Sequence, residues 1–282
     1  MSTEKGRRAA VLGKPVAHSL SPLLHDAAYR ALGLTEFSYE RVEVSEAELP
    51  RFVAGLGSEW AGLSVTMPGK RAALACSQAA SERARAIGAA NTLVQREPGV
   101  WYADSTDIDG VRGALRSTGG FDDTVGGTAA ILGAGGTAAA AVGAFAELGL
   151  RSVRLVVREP TRARQTVTSA ARVGIEVEVL RWAETDFAAL ARDHAALVST
   201  VPAAAVQPHV GELAAARCLL DVVYDPWPTP LAAAVFERGG TLATGLHMLL
   251  HQAFGQVEQF TGSAAPREAM RRELADASGI RL

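Results

Sequence analysis

The stretch that decides the fold runs from Thr128 to Gly149 and reads TAAILGAGGTAAAAVGAFAELG. A short apolar run at 129–132 meets a glycine turn at 133–136, and an alanine-rich helical pattern follows. This order predicts a strand, a tight turn and a helix. Glycines at such a turn let backbone N–H groups approach a ligand, and the helix N-terminus behind them favours a phosphate or pyrophosphate. An ordinary strand-to-helix turn rich in small residues is the alternative for this stretch alone.

Composition limits the class of protein. The chain has 282 residues, of which 48% are hydrophobic and 21% charged, and its formal net charge is −2. These values predict a soluble globular protein of one large or two modest domains, without nucleic acid or an anionic membrane as partner. Cys76 and Cys218 lack C-x-x-C spacing and have apolar neighbours, so we expect buried thiols and neither a disulfide nor a metal site.

The hydrophobicity pattern of the sequence predicts neither a membrane span nor a secretory signal. No segment has the uncharged length of a membrane span. Residues 1–8 are charged and lead directly into a short apolar run, which is unlike the long apolar core of a secretory signal. We therefore expect a cytoplasmic protein.

Strand and helix patterns alternate along the first hundred residues. Strands are predicted at 9–12, 37–44 and 62–66, with helices from Ser21 and over 46–55. A hairpin is expected over 93–102. Strand followed by helix, repeated, indicates a parallel α/β layer.

Several polar residues in this half stand where they could bind a ligand or serve only the local structure. Ser21 before Pro22 is typical of a helix start with Ser21 as the N-cap, whereas Ser19 has no such duty, and the two hydroxyls could hold a carboxylate. Lys70 follows a strand end, where open α/β sheets place their ligand crevice, although a lone lysine in a turn is usually solvated. Asp107 precedes a helical pattern, and an N-cap would explain it sufficiently.

A second series of strands and helices follows the glycine turn, after a short glycine-rich loop at 119–127. The predicted strands lie at 153–157, 175–180, 196–200, 218–223 and 241–243. Arg158 closes the first of these, and Arg162 follows it. Arginines at this position favour the 2′-phosphate of NADP, whereas an acid such as the neighbouring Glu159 favours NAD. The two arginines shift the prediction to NADP.

The last long helix begins at Gly245. At about 100° per residue, one stripe about 100° wide forms the predicted core face. Its members are Leu246, Leu249, Leu250, Ala253, Val257 and Phe260. Gly245, Met248 and Gln252 share a second face, which lines either solvent or a cleft. His247 and His251 lie further round, and we expect them to be solvated rather than metal ligands.

Taken in order, these stretches resemble the shikimate dehydrogenase family over nearly the whole chain. The resemblance is carried by GKPVAHSLSPLLH (13–25), SVTMPGK (64–70), GAANTL (88–93), DSTDIDG (104–110), GAGGT (133–137), DVVYDPWPTPL (221–231) and GLHMLLHQA (245–253). It implies an α/β, two-lobed fold: a parallel-rich N-terminal substrate lobe, a Rossmann-type NADP-binding lobe, and a C-terminal helix that returns to the first lobe. The implied domains are residues 1–106 with 245–282 for substrate and catalysis, and residues 107–244 for NADP.

The resemblance also implies roles for individual residues. Lys70 and Asp107 match the catalytic pair. Matches to residues that bind the substrate carboxylate or ring hydroxyls are Ser19, Ser21, Ser64, Thr66, Asn91, Tyr224 and Gln252. Matches to cofactor contacts are Gly133, Ala134, Gly135, Gly136, Thr137, Arg158, Arg162, Thr200, Val201, Val222, Gly245 and Met248. Ser64 and Ser105 depart from the family, which often has Asn there, and this changes the hydrogen bonds offered to a ring hydroxyl.

The implied reaction is the reversible reduction of 3-dehydroshikimate by NADPH to shikimate, on the route to chorismate and the aromatic amino acids. Lys70 would donate the proton and Asp107 would hold its ammonium group, so no metal is needed. Three alternatives stay open: an NAD-dependent quinate or shikimate dehydrogenase, a methylene-tetrahydrofolate dehydrogenase, and a non-catalytic sensor of shikimate-like acids. No stretch suits a large pterin, and a sensor would lack Lys70 or Asp107. A homodimer is one oligomeric state that the sequence allows.

Overall fold

The structure is a computed structural model and describes residues 6–122 and 127–280. Its strands are β1 (Arg7–Gly13), β2 (Phe37–Glu43), β3 (Trp60–Val65), β4 (Ala79–Ala80), β5 (Thr92–Glu97), β6 (Val100–Asp104), β7 (Thr128–Leu132), β8 (Ser152–Val157), β9 (Glu176–Arg181), β10 (Ala196–Ser199), β11 (Leu219–Asp221) and β12 (Ala243–Thr244). Its α-helices are α1 (Ser21–Leu32), α2 (Leu49–Ala54), α3 (Lys70–Cys76), α4 (Glu82–Ile87), α5 (Asp107–Ala114), α6 (Gly136–Glu147), α7 (Arg164–Arg172), α8 (Phe187–Asp193), α9 (Ala203–Val206), α10 (Val210–Leu213), α11 (Pro230–Glu237), α12 (Gly245–Thr261) and α13 (Arg267–Ser278).

The chain divides into two compact units. The first comprises Met1–Thr106 and Gln252–Leu282, and the second comprises Asp107–His251. Helix α12 therefore begins in the second unit and ends in the first. The domain limits inferred from the family resemblance assign all of α12 to the substrate lobe, and those limits stay a prediction.

The first unit is built on a mixed six-stranded sheet in the order β2-β1-β3-β5-β6-β4. β1 runs parallel to β2 and β3, whereas β5 is antiparallel to β3 and to β6, so the predicted hairpin is confirmed. Apolar side chains cover both faces of the sheet, because successive side chains along a strand point to opposite faces and both faces are packed with apolar residues. One cluster includes Leu12, Leu63 and Trp101, and the other joins Val11 to Phe260 of α12.

The second unit is built on an all-parallel six-stranded sheet in the order β12-β11-β10-β7-β8-β9. The chain starts in the middle, winds outward to β9, and then returns to β10 on the other side of β7. Ligands bind at such a reversal point, beyond the carboxyl ends of the strands. The predicted strand, turn and helix are β7, residues 133–135 and α6. The small residues 138–141 are all buried, which lets α6 pack closely on the sheet.

Two local predictions are wrong. Helix α1 begins at Ser21 itself, with Leu20 as an N-cap that makes no side-chain capping bond. The backbone N–H of Ser21 instead donates to Ser19 Oγ at 3.3 Å, so Ser19 has the structural duty that we assigned to Ser21. His247 is buried rather than solvated, and its Nδ1 accepts a hydrogen bond from the backbone N–H of Thr244 at 3.1 Å. An acceptor three residues beyond Thr244 caps the start of α12 as a capping-box glutamate would.

The structure also bears on the cysteines and on the glycine-rich loop. Both cysteines are free, and Cys218 is buried, but Cys76 is only half-buried. The predicted loop at 119–127 falls partly on residues 123–126, which lie outside the described residues. None of the helices in the described ranges has the length and apolar character that a bilayer span requires. Within the same ranges, no cluster of three or more His, Cys, Asp or Glu side chains is arranged to hold a metal ion.

Candidate functional site

A cavity of about 960 Å³ lies beyond the carboxyl ends of β7, β8, β9 and β10 in the second unit. Seven of the residues predicted to bind the cofactor line it: Gly133, Ala134, Gly135, Arg158, Arg162, Thr200 and Val201. Two more, Gly136 and Thr137, begin α6 directly behind the turn. The N-terminus of a twelve-residue helix thus stands at the end of the turn that lines the cavity, where an anionic group is stabilised.

The two flanking glycines of the turn, Gly133 and Gly135, have different surroundings. Gly133 has φ +101°, and a Cβ there would lie 2.5 Å from Thr200 Oγ1, so the protein itself excludes a side chain. Gly135 has φ −86° and ψ −169°, which any residue adopts, and a Cβ there would meet no atom within 4 Å. The space at Gly135 is therefore free for a ligand to approach the backbone. Thr166, which the sequence did not single out, donates from Oγ1 to the Ala134 carbonyl at 3.1 Å and holds the turn.

The cavity carries two cationic side chains and one acid. Arg158 and Glu159 are exposed, and together with Arg162 they line the cavity. Guanidinium groups can bind phosphate oxygens through paired N–H donors. The open turn, the helix N-terminus and the arginines fit a dinucleotide that bears one further phosphate.

Trp182 is a lining residue that the sequence argument missed. It follows β9 directly, as Arg158 follows β8, and this position was the only signal that could have found it. Its half-buried ring packs at a tilt against Phe187, with 4.9 Å between ring centroids. A flat aromatic surface at this point suits a planar ring such as an adenine.

A second group of predicted residues gathers at the start of α12. A Cβ on Gly245 would lie 2.1 Å from the Val222 carbonyl oxygen and 2.6 Å from Tyr224 Cδ1. Glycine is therefore required at residue 245 by the close approach of the 222–229 loop. Met248 is buried one turn further along. Burial raises the pKa of Tyr224, so its hydroxyl stays a neutral donor at physiological pH.

That loop is anchored by a buried carboxylate. Asp221, which ends β11, accepts hydrogen bonds from Thr229 Oγ1 at 2.9 Å and from the backbone N–H of Val223 at 3.3 Å. Burial raises the pKa of Asp221 to about 6, against the effect of these hydrogen bonds. Asp107, the first residue of α5, is also buried in this unit, with 3% of its surface exposed.

In the first unit, the predicted substrate residues lie around the carboxyl end of β3. Ser64 is buried within the strand, Thr66 follows its end half-buried, and Lys70 is the first residue of α3 and also half-buried. The sequence placed Lys70 in a turn, and the structure places it at the helix start that the turn leads into. Parallel strands present their carboxyl ends to the ligand side of a sheet, which is consistent with a site here.

Asn91 and Gln252 are in direct contact, although 161 positions separate them. Asn91 Oδ1 accepts from the backbone N–H of Thr106 at 2.7 Å, and this bond fixes the orientation of the amide. Its Nδ2 then donates to Gln252 Oε1 at 2.5 Å. Gln252 consequently has its Nε2 group left to donate to a ligand.

The two predicted carboxylate-binding serines are also neighbours. Ser19 and Ser21 are both buried, and their hydroxyl oxygens are 3.2 Å apart. Arg41, a residue of β2 that the sequence did not indicate, donates from Nε and Nη2 to the Ser19 carbonyl at 2.8 and 2.6 Å. A cation on this carbonyl fixes the loop and adds positive potential beside the two hydroxyls.

Comparison with known protein families identifies two matching models. The model described as the shikimate dehydrogenase substrate binding domain matches residues 11–93, and the model described as the shikimate 5'-dehydrogenase C-terminal domain matches residues 245–275. A curated relative from Methylobacterium radiotolerans, named shikimate dehydrogenase (NADP(+)), is 40% identical over 279 residues. That match covers 95% of this chain and 95% of the relative.

Solved structures give the same result. The crystal structure of Mycobacterium tuberculosis shikimate dehydrogenase is 51% identical, with a TM-score of 0.87, and the match covers 96% of this chain and 99% of that one. The Thermus thermophilus shikimate 5-dehydrogenase, solved in complex with NADP(H) and shikimate, is 31% identical with a TM-score of 0.78, covering 96% and 99%. The similarity extends through both units, so the predicted fold class is confirmed.

Proposed function

Because the chain belongs to the shikimate dehydrogenase family, we propose that it catalyses the reversible, NADPH-dependent reduction of 3-dehydroshikimate to shikimate. The enzyme is an NADP-dependent oxidoreductase. The observation that carries the proposal is the cavity in which the open glycine turn, Arg158 and Arg162 lie together. We place the reaction in the cytoplasm, where free Cys76 and Cys218 stay reduced, and on the route to chorismate.

The second unit supplies the cofactor-binding groups. The backbone around Gly135 receives the pyrophosphate, and Arg158 and Arg162 bind the 2′-phosphate. Thr200, Val201, Val222, Gly245 and Met248 contact the rest of the cofactor. NADPH supplies the hydride when it is bound. The fit is supported by the empty space at Gly135, since no neighbouring protein atom explains a glycine there.

Proton transfer is assigned to Lys70. As the ketone oxygen of the substrate gains negative charge, the Lys70 ammonium group donates a proton from Nζ to it, and in the reverse direction the amine accepts the proton of the alcohol. Asp107 accepts a charge-assisted hydrogen bond from this ammonium group or from the neighbouring substrate hydroxyl. The burial of Asp107 supports this role, because a carboxylate withdrawn from water needs strong donors.

The remaining first-unit residues bind the substrate. Ser19 and Ser21 donate to its carboxylate, and Tyr224 assists them. Asn91 and Gln252 act as one bonded pair toward the ring hydroxyls, together with Ser64 and Thr66. The contact between Asn91 and Gln252 supports the assignment, because two amides from distant parts of the chain are already joined.

The test follows the absorbance of reduced cofactor with shikimate or quinate, each offered NADP and NAD. We expect turnover with shikimate and NADP, and a loss in kcat of about 10²- to 10⁴-fold in Lys70→Ala, while shikimate still binds by calorimetry. Lys14→Ala is the matched control, since the Lys14 ammonium lies at the surface, 3.8 Å from Glu43. An unchanged kcat in Lys70→Ala would remove the proton role, and no turnover with any pair would leave only a sensor of shikimate-like acids.

One observation favours a second candidate. Glu159 lines the cavity beside Arg158, and an acid there favours the unphosphorylated ribose of NAD. Higher kcat/KM with NAD and quinate in the same assay would establish this NAD-dependent variant instead.

A further inference from the structure

A buried chain of hydrogen bonds in the first unit includes two of the predicted substrate residues, Ser64 and Asn91. It runs from Tyr39 through Ser64 to Gln256, and ends at the Asn91 carbonyl. Tyr39 and Gln256 are absent from the motifs that indicated the site. We propose that Gln256 and Tyr39 are positioning residues that commit the single proton of Ser64 to the protein interior, so that Ser64 offers the substrate only an acceptor oxygen.

The direction of the chain is set at its inner end. Gln256 Nε2 lies 3.3 Å from the Asn91 carbonyl oxygen, which can only accept, so this end of the amide must be the donor. The same nitrogen donates to Thr92 Oγ1 at 3.2 Å. Gln256 Oε1 therefore faces the other way, toward Ser64 Oγ at 2.9 Å, and must accept.

The proton of Ser64 is thereby assigned. A serine hydroxyl has one proton, and Ser64 donates it to Gln256 Oε1. The 2.7 Å contact between Tyr39 and Ser64 then requires Tyr39 to donate. Burial raises the pKa of Tyr39 well above its ordinary value, so its hydroxyl keeps the proton that this bond needs. What remains on Ser64 is a lone pair.

A buried histidine holds the chain in place. His25 is fully buried, and its ring stacks on that of Tyr39 with 3.9 Å between centroids and 14° between planes. Its Nε2 lies 3.5 Å from Gln256 Oε1, an acceptor, so Nε2 carries the proton. Burial lowers the pKa of His25 to about 3, which keeps the ring neutral and the direction of the chain unchanged at physiological pH.

Whereas Ser64 offers the ligand a hydrogen-bond acceptor, Gln252 offers it a donor. Its oxygen is taken by Asn91, and its Nε2 is left to donate. If shikimate is the substrate, as the proposed function holds, one of its non-reacting hydroxyls donates to Ser64 and another oxygen accepts from Gln252. The site thus selects a ligand by the direction of its hydrogen bonds as well as by their positions.

The test uses analogues of shikimate in which one of the two non-reacting hydroxyls is replaced by hydrogen or by fluorine. Fluorine can accept weakly but cannot donate. At the hydroxyl that contacts Ser64, we expect both analogues to bind the wild-type protein about tenfold more weakly than shikimate, with fluorine no better than hydrogen. In Ser64→Ala this penalty disappears, because the partner of the missing hydroxyl is gone.

The variant Gln256→Leu tests the positioning role of Gln256. It removes the acceptor for the Ser64 proton, which can then turn to the ligand, so the fluorinated analogue should bind severalfold better than the hydrogen analogue. Tyr29→Phe is the matched control, since its hydroxyl lies in the same aromatic cluster, 3.4 Å from His25, and does not reach Ser64. It should leave the order of the analogues unchanged. If Gln256→Leu does not fold, the analogue series on the wild type and Ser64→Ala still decides the polarity of Ser64.

Two results would overturn the proposal: a wild-type protein that prefers the fluorinated analogue, or analogue penalties that are the same with and without the Ser64 hydroxyl. Failure of the proposed function looks different. It would appear as absent turnover of shikimate by the wild type, whatever the order of the analogues. If shikimate neither turns over nor binds, both proposals fall.

Discussion

The two units build their candidate sites from different materials. In the second unit the site is backbone and space: a Cβ on Gly135 would meet no atom within 4 Å, and the arginines stand at an open cavity. In the first unit the site is side chains that already bond to one another, such as Asn91 to Gln252 and Ser64 to Gln256. Binding and stability should therefore separate in the second unit and be coupled in the first.

The largest effect on stability should come from the hub of the first unit, the cluster of side chains that hydrogen-bond to Asp104. Asp104 is 5% exposed, and both of its carboxylate oxygens accept hydrogen bonds. Arg83 donates to the two oxygens at 2.8 and 2.6 Å, Ser81 donates at 2.6 Å, and Gln259 donates at 2.9 Å. Asp104→Ala leaves these donors without their acceptor and should lower the free energy of unfolding by about 3–5 kcal/mol. Urea unfolding measures this change in the free energy of unfolding. Asp193→Ala, which breaks an exposed pair with Arg192, should cost less than about 1 kcal/mol.

The same hub predicts a pH dependence. Burial alone would raise the pKa of Asp104, but hydrogen bonds and the charge of Arg83 outweigh it and lower the pKa from 3.8 to about 2. The contribution of ionised Asp104 to the free energy of unfolding is therefore complete above about pH 4, and it is lost as the pH falls through about 2. Asp104→Ala should remove this loss. If wild type and variant fall in parallel over that range, the hub is not the source.

The glycine pair tests whether binding and stability separate in the second unit. Gly133→Ala forces a side chain onto φ +101° and against Thr200, so it should destabilise the ligand-free protein by about 1–3 kcal/mol. Gly135→Ala should leave the melting temperature of the ligand-free protein within about 1 °C and weaken NADP binding at least about tenfold, since its methyl enters the space for the pyrophosphate. Equal losses of stability in both variants would contradict the comparison.

Substitution of Arg158 should have a smaller effect, which is limited to binding of the 2′-phosphate of NADP. Arg158→Gln should weaken NADP binding about 10- to 100-fold and change NAD binding less than about threefold, because only NADP carries the 2′-phosphate. Calorimetric titration with each cofactor measures both. Arg154→Gln is the control: Arg154 lies on β8, the strand that Arg158 follows, but its guanidinium is committed to Glu178 at 2.8 Å. Equal losses with NADP and NAD would remove the assignment of Arg158.

The same difference explains what the sequence predicts. The cavity of the second unit follows from a local motif, because the glycine turn and Arg158 each stand next to the strand that presents them. Trp182 was missed because only its place after β9 marks it. In the first unit, the motifs name Ser64 and Asn91 but not their partners Tyr39 and Gln256, since hydrogen bonds across 25 and 165 positions leave no local pattern. Likewise, the sequence did not reveal that Ser19, two residues before the helix, accepts the first N–H of α1.

The smallest effect concerns Asp221, whose side chain anchors a loop of the second unit. Burial raises the pKa of Asp221 from 3.8 to about 6, so the folded protein binds this proton more tightly than the unfolded chain. The free energy of unfolding should therefore fall by about 1–2 kcal/mol as the pH rises from about 4 to about 6, and then level off. Asp221→Asn keeps the shape and removes the charge, so this fall should vanish.

Urea unfolding of wild type and Asp221→Asn at pH 4, 5, 6 and 7 gives the difference directly. Asp225→Asn, in the same loop but exposed, is the control and should follow the wild type. The asparagine can still accept from the Val223 N–H through Oδ1 and can donate from Nδ2 to Thr229 Oγ1, so the variant should also keep the 222–229 loop in place. NADP binding should then change less than about threefold at pH 7. A large loss of NADP binding at unchanged stability would mean that the charge of Asp221 itself serves the cofactor, and not only the anchoring of the 222–229 loop.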